Sequence, residues 1–345
     1  MSGRKLWIDL FKSLGIFFVA IGHIATGRVV NIIYSFHMPL FVVLSGYNAY
    51  FSRNKIYDKS IFKNIFVSMI RVFPVILFLN LFKIISGLIV NGLSIENLKT
   101  YIKLMNNSNF SYIFNQGNIK LPFAGATWFL IHLIFVQAMH KFFVSKFKDR
   151  EFERFILIVF VFILSIPNNF STFRYLPMNF NSSLVSLLYY EIGYLFHKYE
   201  NYIIQHIKIK YPSSKYIFSL LVALFFMFYV STLNVGISLR TLEYGNHVYA
   251  TLTTIFIPIL LMLIFIELED VFKKIPFMEY FQILGKNALY VLGIDSSIKY
   301  VLVSFYPFLL LSRSNRIILI MIVVLIMTLI ANLIELSLKY SKLKK

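Results

Sequence analysis

Residues 317–334 read IILIMIVVLIMTLIANLI, a continuous run without a single charged side chain. A helix needs about 20 predominantly apolar residues to cross the hydrocarbon core of a bilayer. Ten segments of this kind follow one another, at roughly 6–26, 30–51, 64–90, 125–145, 154–168, 182–200, 216–235, 248–269, 282–310 and 316–338. The sequence therefore predicts an all-α, polytopic membrane bundle of about ten transmembrane helices, forming one membrane-embedded domain over 1–345.

The composition supports the same interpretation and excludes several kinds of chemistry. Hydrophobic residues make up 58% of the chain and charged residues 14%, whereas charged residues are about a quarter of ordinary globular domains. The absence of cysteine excludes disulfides, thiolate metal sites and cysteine nucleophiles. The net charge of +19 resides mainly in short loops between apolar runs, so we expect a lipid bilayer rather than nucleic acid as the partner, and no metal site.

The distribution of lysine and arginine predicts the orientation. With both termini in the cytoplasm, cytoplasmic segments hold 22 of the 34 basic residues, as the positive-inside rule requires. The external segments hold only Arg28, Lys99, Lys103, Lys120, Arg174, Arg240, Arg313 and Arg316. We therefore expect a multi-pass protein of the cell membrane. Its longest connection, 91–124, is polar and rich in Asn, and it is predicted to form an external loop with little core of its own.

Ionisable residues inside the first two spans are the strongest candidates for function. Such a residue costs about 2.5–3.5 kcal/mol at a helix centre on insertion scales. Lys12 and His23 lie eleven positions apart, so they share one helix face at a separation of about 16 Å, with Asp9 close to that face. His37 lies in the second span, where Pro39 frees a carbonyl one turn earlier and should kink the helix.

Further polar residues in the spans each admit a structural interpretation as well. They are Arg71, Trp128 with His132, Glu191, Lys286, Asp295 and Lys299. Lys12 and Lys286 can snorkel to the nearby interface. Asp295 and Lys299, at i and i+4, can form an intrahelical pair. His132 can be a hydrogen-bonded core residue, and Glu191 can hold two helices together.

Short motifs at these positions resemble the acyltransferase 3 family of membrane acyltransferases. Asp9-Leu10-Phe11-Lys12 followed by Gly22-His23 resembles its opening helix, in which a basic residue precedes a histidine by eleven positions. Phe36-His37-Met38-Pro39-Leu40-Phe41 and Ser45-Gly46-Tyr47 are similar to its second-helix signature. The later matches are Arg71-Val72-Phe73-Pro74, Thr127-Trp128-Phe129-Leu130 (as in the fucose acetylase-like branch), Gly193-Tyr194 and Leu284-Gly285-Lys286-Asn287-Ala288-Leu289.

The resemblance is strongest over 4–130 and around 284–295, and it departs from the family at two positions. Ser68 stands where the family often has an arginine, three positions before the one matched by Arg71. Asp295 stands where the late helix usually has a histidine.

The resemblance implies transfer of an acyl group, usually acetyl from acetyl-CoA, to a hydroxyl of a cell-envelope polysaccharide or lipid-linked sugar. Histidine is the usual base for a hydroxyl proton, so we expect His23 and His37 to be catalytic. Lys12, Arg71 and Lys286 are expected to bind the phosphates of the donor. Asp9, Trp128, Glu191 and Asp295 are expected to support the site or face the acceptor. Acyl-CoA is then a substrate and not a bound cofactor, and both direct transfer and an acyl-histidine intermediate are compatible with these residues.

Two other functions compete with this one. Intramembrane charges also mark the substrate paths of transporters, so a transporter or flippase for glycans or lipid-linked sugars is the alternative. The sequence shows no corresponding pair of Gly- or Pro-broken helices, which are typical of transporters. A structural assembly subunit would leave the buried charges unexplained. Under the predicted orientation, both histidines lie in the outer halves of their spans, which favours a cytoplasmic donor and an external acceptor.

Overall fold

The computed structural model describes residues 5–52, 61–114, 121–148, 150–166, 177–210, 213–234 and 237–343. These residues are helical apart from turns and one isolated bridge between Ser238 and Glu243. The α-helices are α1 (Leu6–Ile24), α2 (Arg28–Tyr34), α3 (His37–Tyr50), α4 (Ile61–Asn91), α5 (Ile95–Phe114), α6 (Thr127–Lys146), α7 (Glu151–Ser165), α8 (Phe180–Lys210), α9 (Ser213–Thr232), α10 (His247–Glu267), α11 (Glu269–Phe272), α12 (Met278–Lys286), α13 (Ala288–Val291), α14 (Ile294–Phe305) and α15 (Arg313–Leu343). Outside the described residues lie Pro167 and 168 at the end of the predicted fifth span, 235 at the end of the seventh, and the basic residues Arg4, Arg53, Lys55, Lys59, Lys120, Arg174, Lys344 and Lys345.

The all-α class and the polytopic character are confirmed. Within the described part of the chain, eight helical segments are long and apolar enough to cross a membrane: 6–24, 28–50, 63–91, 127–146, 214–232, 247–267, 288–305 and 313–340. The fifth and sixth predicted spans correspond to α7, which has 15 residues, and to the longer but more polar α8. The count is therefore near the expected ten, and the orientation stays a prediction from the charges.

The connection over 91–124, predicted as an external loop with little core of its own, contains a helix, so the absence of regular structure implied by a loop was wrong. Ile95–Phe114 forms α5, although its composition is rich in Asn. The Ser94 hydroxyl accepts from the backbone N–H of Asn97, as an N-cap does, and the Asn97 amide donates to carbonyls at the end of α4. Local capping therefore starts a helix that composition alone disfavours. The helix buries little of itself apart from Tyr112.

Two predicted continuous spans are broken in the structure. The ninth, expected over 282–310, is divided into α12, α13 and α14. Gly293 lies between α13 and α14 and has a φ of 98°, which favours glycine. It also packs against Ala126, because a Cβ placed on Gly293 would lie 2.0 Å from the Ala126 Cβ. The second span is interrupted by a turn at Ser35 and Phe36, between α2 and α3, so the distortion expected near Pro39 lies just in front of His37.

Three glycines set the closest helix packing. A Cβ at Gly46 of α3 would lie 1.9 Å from the carbonyl oxygen of Tyr190, and one at Gly193 of α8 would lie 1.9 Å from that of Val43. These reciprocal contacts press α3 and α8 together backbone to backbone. A Cβ at Gly285 of α12 would lie 1.8 Å from the carbonyl oxygen of Asp9, which fixes α12 against α1 in the same way. Small residues at such crossings are the usual means of close helix association in membranes.

Replacing Gly193 by alanine is expected to destabilise the protein strongly. The new methyl group would overlap a backbone carbonyl, which cannot move without separating α3 from α8, and overpacking costs about 1–3 kcal/mol or more. The measurement is the thermal midpoint of the detergent-solubilised protein, followed by size-exclusion chromatography. The control is Gly125→Ala, whose Cβ would meet its nearest neighbour at 4.0 Å. Equal midpoints for the two variants would contradict the packing described.

Candidate functional site

A cavity of about 490 Å³ lies at the end of α1 that carries His23, and we call it the histidine cavity. Residues from six helices (α1, α3, α4, α5, α6 and α14) and from the connections before α6 and between α9 and α10 line it. Its polar and aromatic lining includes His23, His37, Lys83, Tyr101, Trp128 and Arg240. Its size falls within the roughly 300–1,000 Å³ typical of sites for small molecules. The structure thus brings His23, His37 and Trp128, which are distant in sequence, to one enclosure.

His23 is oriented by a residue 272 positions later in the chain. Its Nδ1 lies 2.5 Å from Oδ2 of Asp295, a residue that is almost fully buried in the first turn of α14. The Lys299 ammonium donates to the main-chain carbonyl of His23 at 2.5 Å. Asp295 and Lys299, considered above as an intrahelical pair, therefore both contact residue 23. The break at Gly293 makes this possible, because it starts a new helix two residues before Asp295.

The hydrogen bonds assign the same tautomer to the two imidazoles. Nδ1 of His37 lies 2.9 Å from the carbonyl oxygen of Ile33, which can only accept, so Nδ1 carries the proton. Nδ1 of His23 donates to the Asp295 carboxylate by the same logic. Each ring, when neutral, therefore has its lone pair on Nε2. A lone pair on an enclosed imidazole is what a general base for a hydroxyl proton requires.

His132 belongs to the core and not to the cavity. It is fully buried beside Trp128, and its Nδ1 lies 3.1 Å from the Ser183 hydroxyl. Trp128 itself lines the histidine cavity, one turn before His132. The contacts of His132 therefore fit the interpretation as a core residue. Of the two side chains, only that of Trp128 lines the histidine cavity.

A second cavity, of about 410 Å³, lies at the opposite end of α1, and we call it the lysine cavity. Its polar lining includes Lys12, Lys141, Lys286, Asn48, Gln137 and His140. Lys286 reaches it because Gly285 lets α12 contact α1 at Asp9. Asp9 is fully buried, and its Oδ1 lies 4.0 Å from the Lys12 ammonium. Three ammonium groups at one enclosure favour a polyanionic ligand.

The two cavities share lining residues. Phe129 of α6 and Leu292 at the break before α14 border both. Lys12 and His23, one in each cavity, lie on the same face of α1 at a separation of about 16 Å along its axis. The two cavities therefore adjoin at Phe129 and Leu292, alongside α1.

Arg71 and Glu191, two other predicted site residues, line neither cavity. Arg71 is exposed on α4. Glu191 is fully buried, accepts from His140 Nε2 at 2.7 Å, and accepts from Arg154 Nε and Nη2 at 3.0 and 2.7 Å. Glu191 thus ties α6, α7 and α8 together, and it reaches the lysine cavity only through His140. Removing one partner of such a buried pair usually costs about 3–5 kcal/mol.

Several lining residues were not singled out from the sequence. Tyr101 lies on the helix that was predicted as a loop, and Lys83 and Arg240 were assigned no role beyond their place in the charge count. His140 had no motif to mark it. Lys83 could have been identified from its position inside a predicted span, because a charged residue there is costly and usually has a function. Among the described residues, no group of three or more His, Asp and Glu side chains is arranged to hold a metal ion.

Comparison with known proteins agrees with the geometry. The Acyl_transf_3 family, described as an acyltransferase domain, matches residues 5–335. The match covers nearly the whole chain and both cavities, and it does not distinguish branches within the family. Neither the curated proteins nor the solved structures compared with this chain include a match. The chain therefore belongs to the acyltransferase 3 family, and the enzyme is a multi-pass membrane acyltransferase.

Proposed function

We propose that the enzyme transfers an acetyl group from acetyl-CoA to a hydroxyl of a cell-envelope polysaccharide or lipid-linked sugar, as in the fucose acetylase-like branch. The observation that carries the proposal is the contact between His23 and Asp295 at the wall of the histidine cavity. An imidazole held by a buried carboxylate is the arrangement that generates a general base in many acyl-transferring enzymes. The acetyl group and the glycan come from the family resemblance.

The proposed reaction is direct acyl transfer. Nε2 of His23 removes the proton from the acceptor hydroxyl. At the same time the hydroxyl oxygen of the acceptor attacks the thioester carbonyl carbon, which gives a tetrahedral oxyanion. The C–S bond then breaks, the acyl group stays on the acceptor oxygen, and the imidazolium returns its proton to the departing thiolate. Asp295 stabilises the imidazolium between these two steps. An acyl group carried briefly by a histidine would use the same two cavities.

The lysine cavity is the proposed entrance for the donor. Lys12, Lys286 and Lys141 would bind the phosphates of acyl-CoA, since ammonium groups are suited to phosphate as point charges. The pantetheine arm would pass between Phe129 and Leu292 to bring the thioester to the histidines. Given the predicted orientation, the donor enters from the cytoplasm and the acceptor hydroxyl approaches from outside.

The two broken helices are of a kind found in transporters, where discontinuous helices surround the substrate site. In this chain each break delivers a residue of the histidine cavity: His37 follows the first, and Asp295 follows the second. We therefore assign the breaks to catalysis and not to transport of a glycan. Labelled glycan tests the alternative. Its passage across the membrane without acyl-CoA would indicate a transporter, whereas a change in the glycan that requires acyl-CoA indicates an acyltransferase.

Substituting His23 by alanine is expected to lower kcat about 10²–10⁴-fold, because the base for the hydroxyl proton is lost. Asp295→Asn should lower kcat while leaving both KM values close to wild type, because Asp295 acts through His23. The measurement is transfer of labelled acetyl from acetyl-CoA to extracted envelope glycan by purified enzyme in nanodiscs. His206→Ala, at an exposed histidine on α8, is the matched control. Wild-type transfer by a folded His23→Ala enzyme would rule out the assignment.

Substituting Lys12 or Lys286 by glutamine is expected to raise the KM for acetyl-CoA about tenfold, because a charged hydrogen bond of about 1.5 kcal/mol is lost. The KM for the acceptor should change little. Arg71→Gln provides the comparison, since this residue was expected to bind the donor and yet lies outside the lysine cavity. Unchanged donor kinetics in both lysine variants would place the donor phosphates elsewhere.

Sealed proteoliposomes of known orientation test the proposed sidedness. With acetyl-CoA supplied only on the face of the lysine cavity, label should appear on acceptor confined to the opposite side. The reason is that the thioester meets the histidines beyond the Phe129–Leu292 junction, near the other interface. A leak marker of similar size to acetyl-CoA is the control. Labelling only of acceptor on the donor side would contradict transfer across the membrane.

A further inference from the structure

The histidine cavity carries positive charge that the proposed reaction does not use. Lys83 and Arg240 line it, and among the described lining residues there is no Asp or Glu. Neither cation forms an ion pair with a carboxylate in the described part of the chain, and the one buried carboxylate nearby, Asp295, is engaged by His23. Lys83 is exposed and Arg240 is half-buried, so together they give the cavity a positive charge that attracts a ligand of opposite charge.

Arg240 is held in place by an ordered segment, 237–246, between α9 and α10. The Ser182 hydroxyl of α8 donates to the carbonyl oxygens of Leu239 and Arg240, at 2.8 and 3.3 Å. The Asn234 amide donates to the carbonyl of Tyr244 at 2.8 Å, which closes the segment on itself. Its apolar side chains are buried. These hydrogen bonds hold the backbone of Arg240 at the cavity wall.

The guanidinium of Arg240 has an unused donor. Its Nε is buried and, within the described residues, has no hydrogen-bond partner. A buried N–H without a partner is uncommon, because it carries the full cost of desolvation. A ligand that accepts from Nε would remove this cost. Carboxylate and phosphate groups accept from the guanidinium in a two-point geometry, which makes them the fitting partners.

Lys83 is only partly engaged. It lies on α4, and its ammonium contacts the carbonyl of Phe123 and sits 4.6 Å from the centre of that ring. An ammonium has three donors, so two stay available after the contact with Phe123. Lys83 lines the same cavity as Arg240.

Aromatic side chains complete the cavity. Trp128, Tyr101 and Tyr300 line it. Tyr101 packs directly on Gly87, where a Cβ would overlap its ring, and the Asn91 amide donates to its hydroxyl at 2.5 Å. Flat, rigid rings with polar edges suit a sugar ring, which has apolar faces and hydroxyls at its rim. The cavity therefore combines surfaces for a sugar with cations for an anion.

We propose that the acceptor is an anionic glycan, whose carboxylate or phosphate is bound by Arg240 and Lys83 beside the hydroxyl that receives the acyl group. The proposal rests on the proposed function and specifies its substrate class. The anion would draw the sugar onto the aromatic side chains and place the hydroxyl at Nε2 of His23. A uronic acid supplies the carboxylate, and a phosphodiester or a phosphate of a lipid-linked sugar supplies the phosphate.

The test compares matched acceptors with purified enzyme in nanodiscs and labelled acetyl-CoA. One pair is a glucuronate-containing oligosaccharide and its carboxyl-reduced form, and the other is a phosphorylated oligosaccharide and its dephosphorylated form. The variants are Arg240→Gln and Lys83→Gln. Arg313→Gln is the control, because Arg313 is exposed at the start of α15 and lies outside the cavity.

The charged member of one pair is expected to have a KM about tenfold lower than its neutral partner, as one charged hydrogen bond would give. The pair that shows the effect distinguishes carboxylate from phosphate. Arg240→Gln should remove this preference, because it raises the KM of the charged member toward that of the neutral member, whereas Arg313→Gln should keep the preference. The wild-type comparison is decisive even when a variant fails to fold.

Three results would overturn the proposal. Equal use of charged and neutral acceptors by the wild-type enzyme would show that no anion is recognised. Equal slowing of both members by Arg240→Gln would assign the guanidinium to the oxyanion of the reaction and not to the acceptor. Consumption of acetyl-CoA without labelling of any of the four acceptors would reject the acceptor class. Absence of both consumption and labelling would contradict the proposed function itself.

Discussion

The backbone contact between α3 and α8 is the interaction on which most of this structure depends. Lipid tails are as apolar as the helices, so the hydrophobic effect does not drive helices together inside a bilayer. Association relies on close van der Waals packing, and Gly46 and Gly193 permit it by removing side chains from both sides of the crossing. Gly285 provides the equivalent contact between α12 and α1. His37 lies on the first pair and His23 on the second, so these crossings set the relative position of the two imidazoles.

Helix breaks then determine where the polar groups point. A continuous helix would satisfy every backbone group and would leave the bilayer interior without free polar atoms. The breaks at Phe36 and Gly293 interrupt two candidate membrane spans, 28–50 and 288–305. Each break begins a short helix whose first turn carries a functional candidate, His37 in one case and Asp295 in the other. Irregular backbone in a membrane protein is tolerated where it borders a cavity, and both breaks do.

Charge is arranged differently at the two ends of α1. Around the lysine cavity, Glu191 binds His140 and Arg154 in a network that is buried and satisfied, as a structural role requires. Around the histidine cavity, Asp295 retains a buried oxygen without a hydrogen-bond partner among the described residues, and Arg240 retains an unused N–H. Satisfied networks rigidify a fold, whereas unsatisfied buried groups are characteristic of sites that bind or react. The contrast favours the histidine end as the place of chemistry.

The sequence by itself determined the class of protein, most of the spans and the pairing of Lys12 with His23 along one helix face. These features follow from apolar run length and from the fixed rise and twist of a helix, which are local properties. The contact of Asp295 with His23, the position of Arg240 and the exclusion of Arg71 from the lysine cavity were decided only by the tertiary structure. Each depends on which helices touch and at what register, over separations of up to 272 residues. The periodicity of a sequence describes one helix at a time and therefore does not predict contacts between distant helices. The breaks that redirect these side chains form only where neighbouring helices enclose the interrupted backbone.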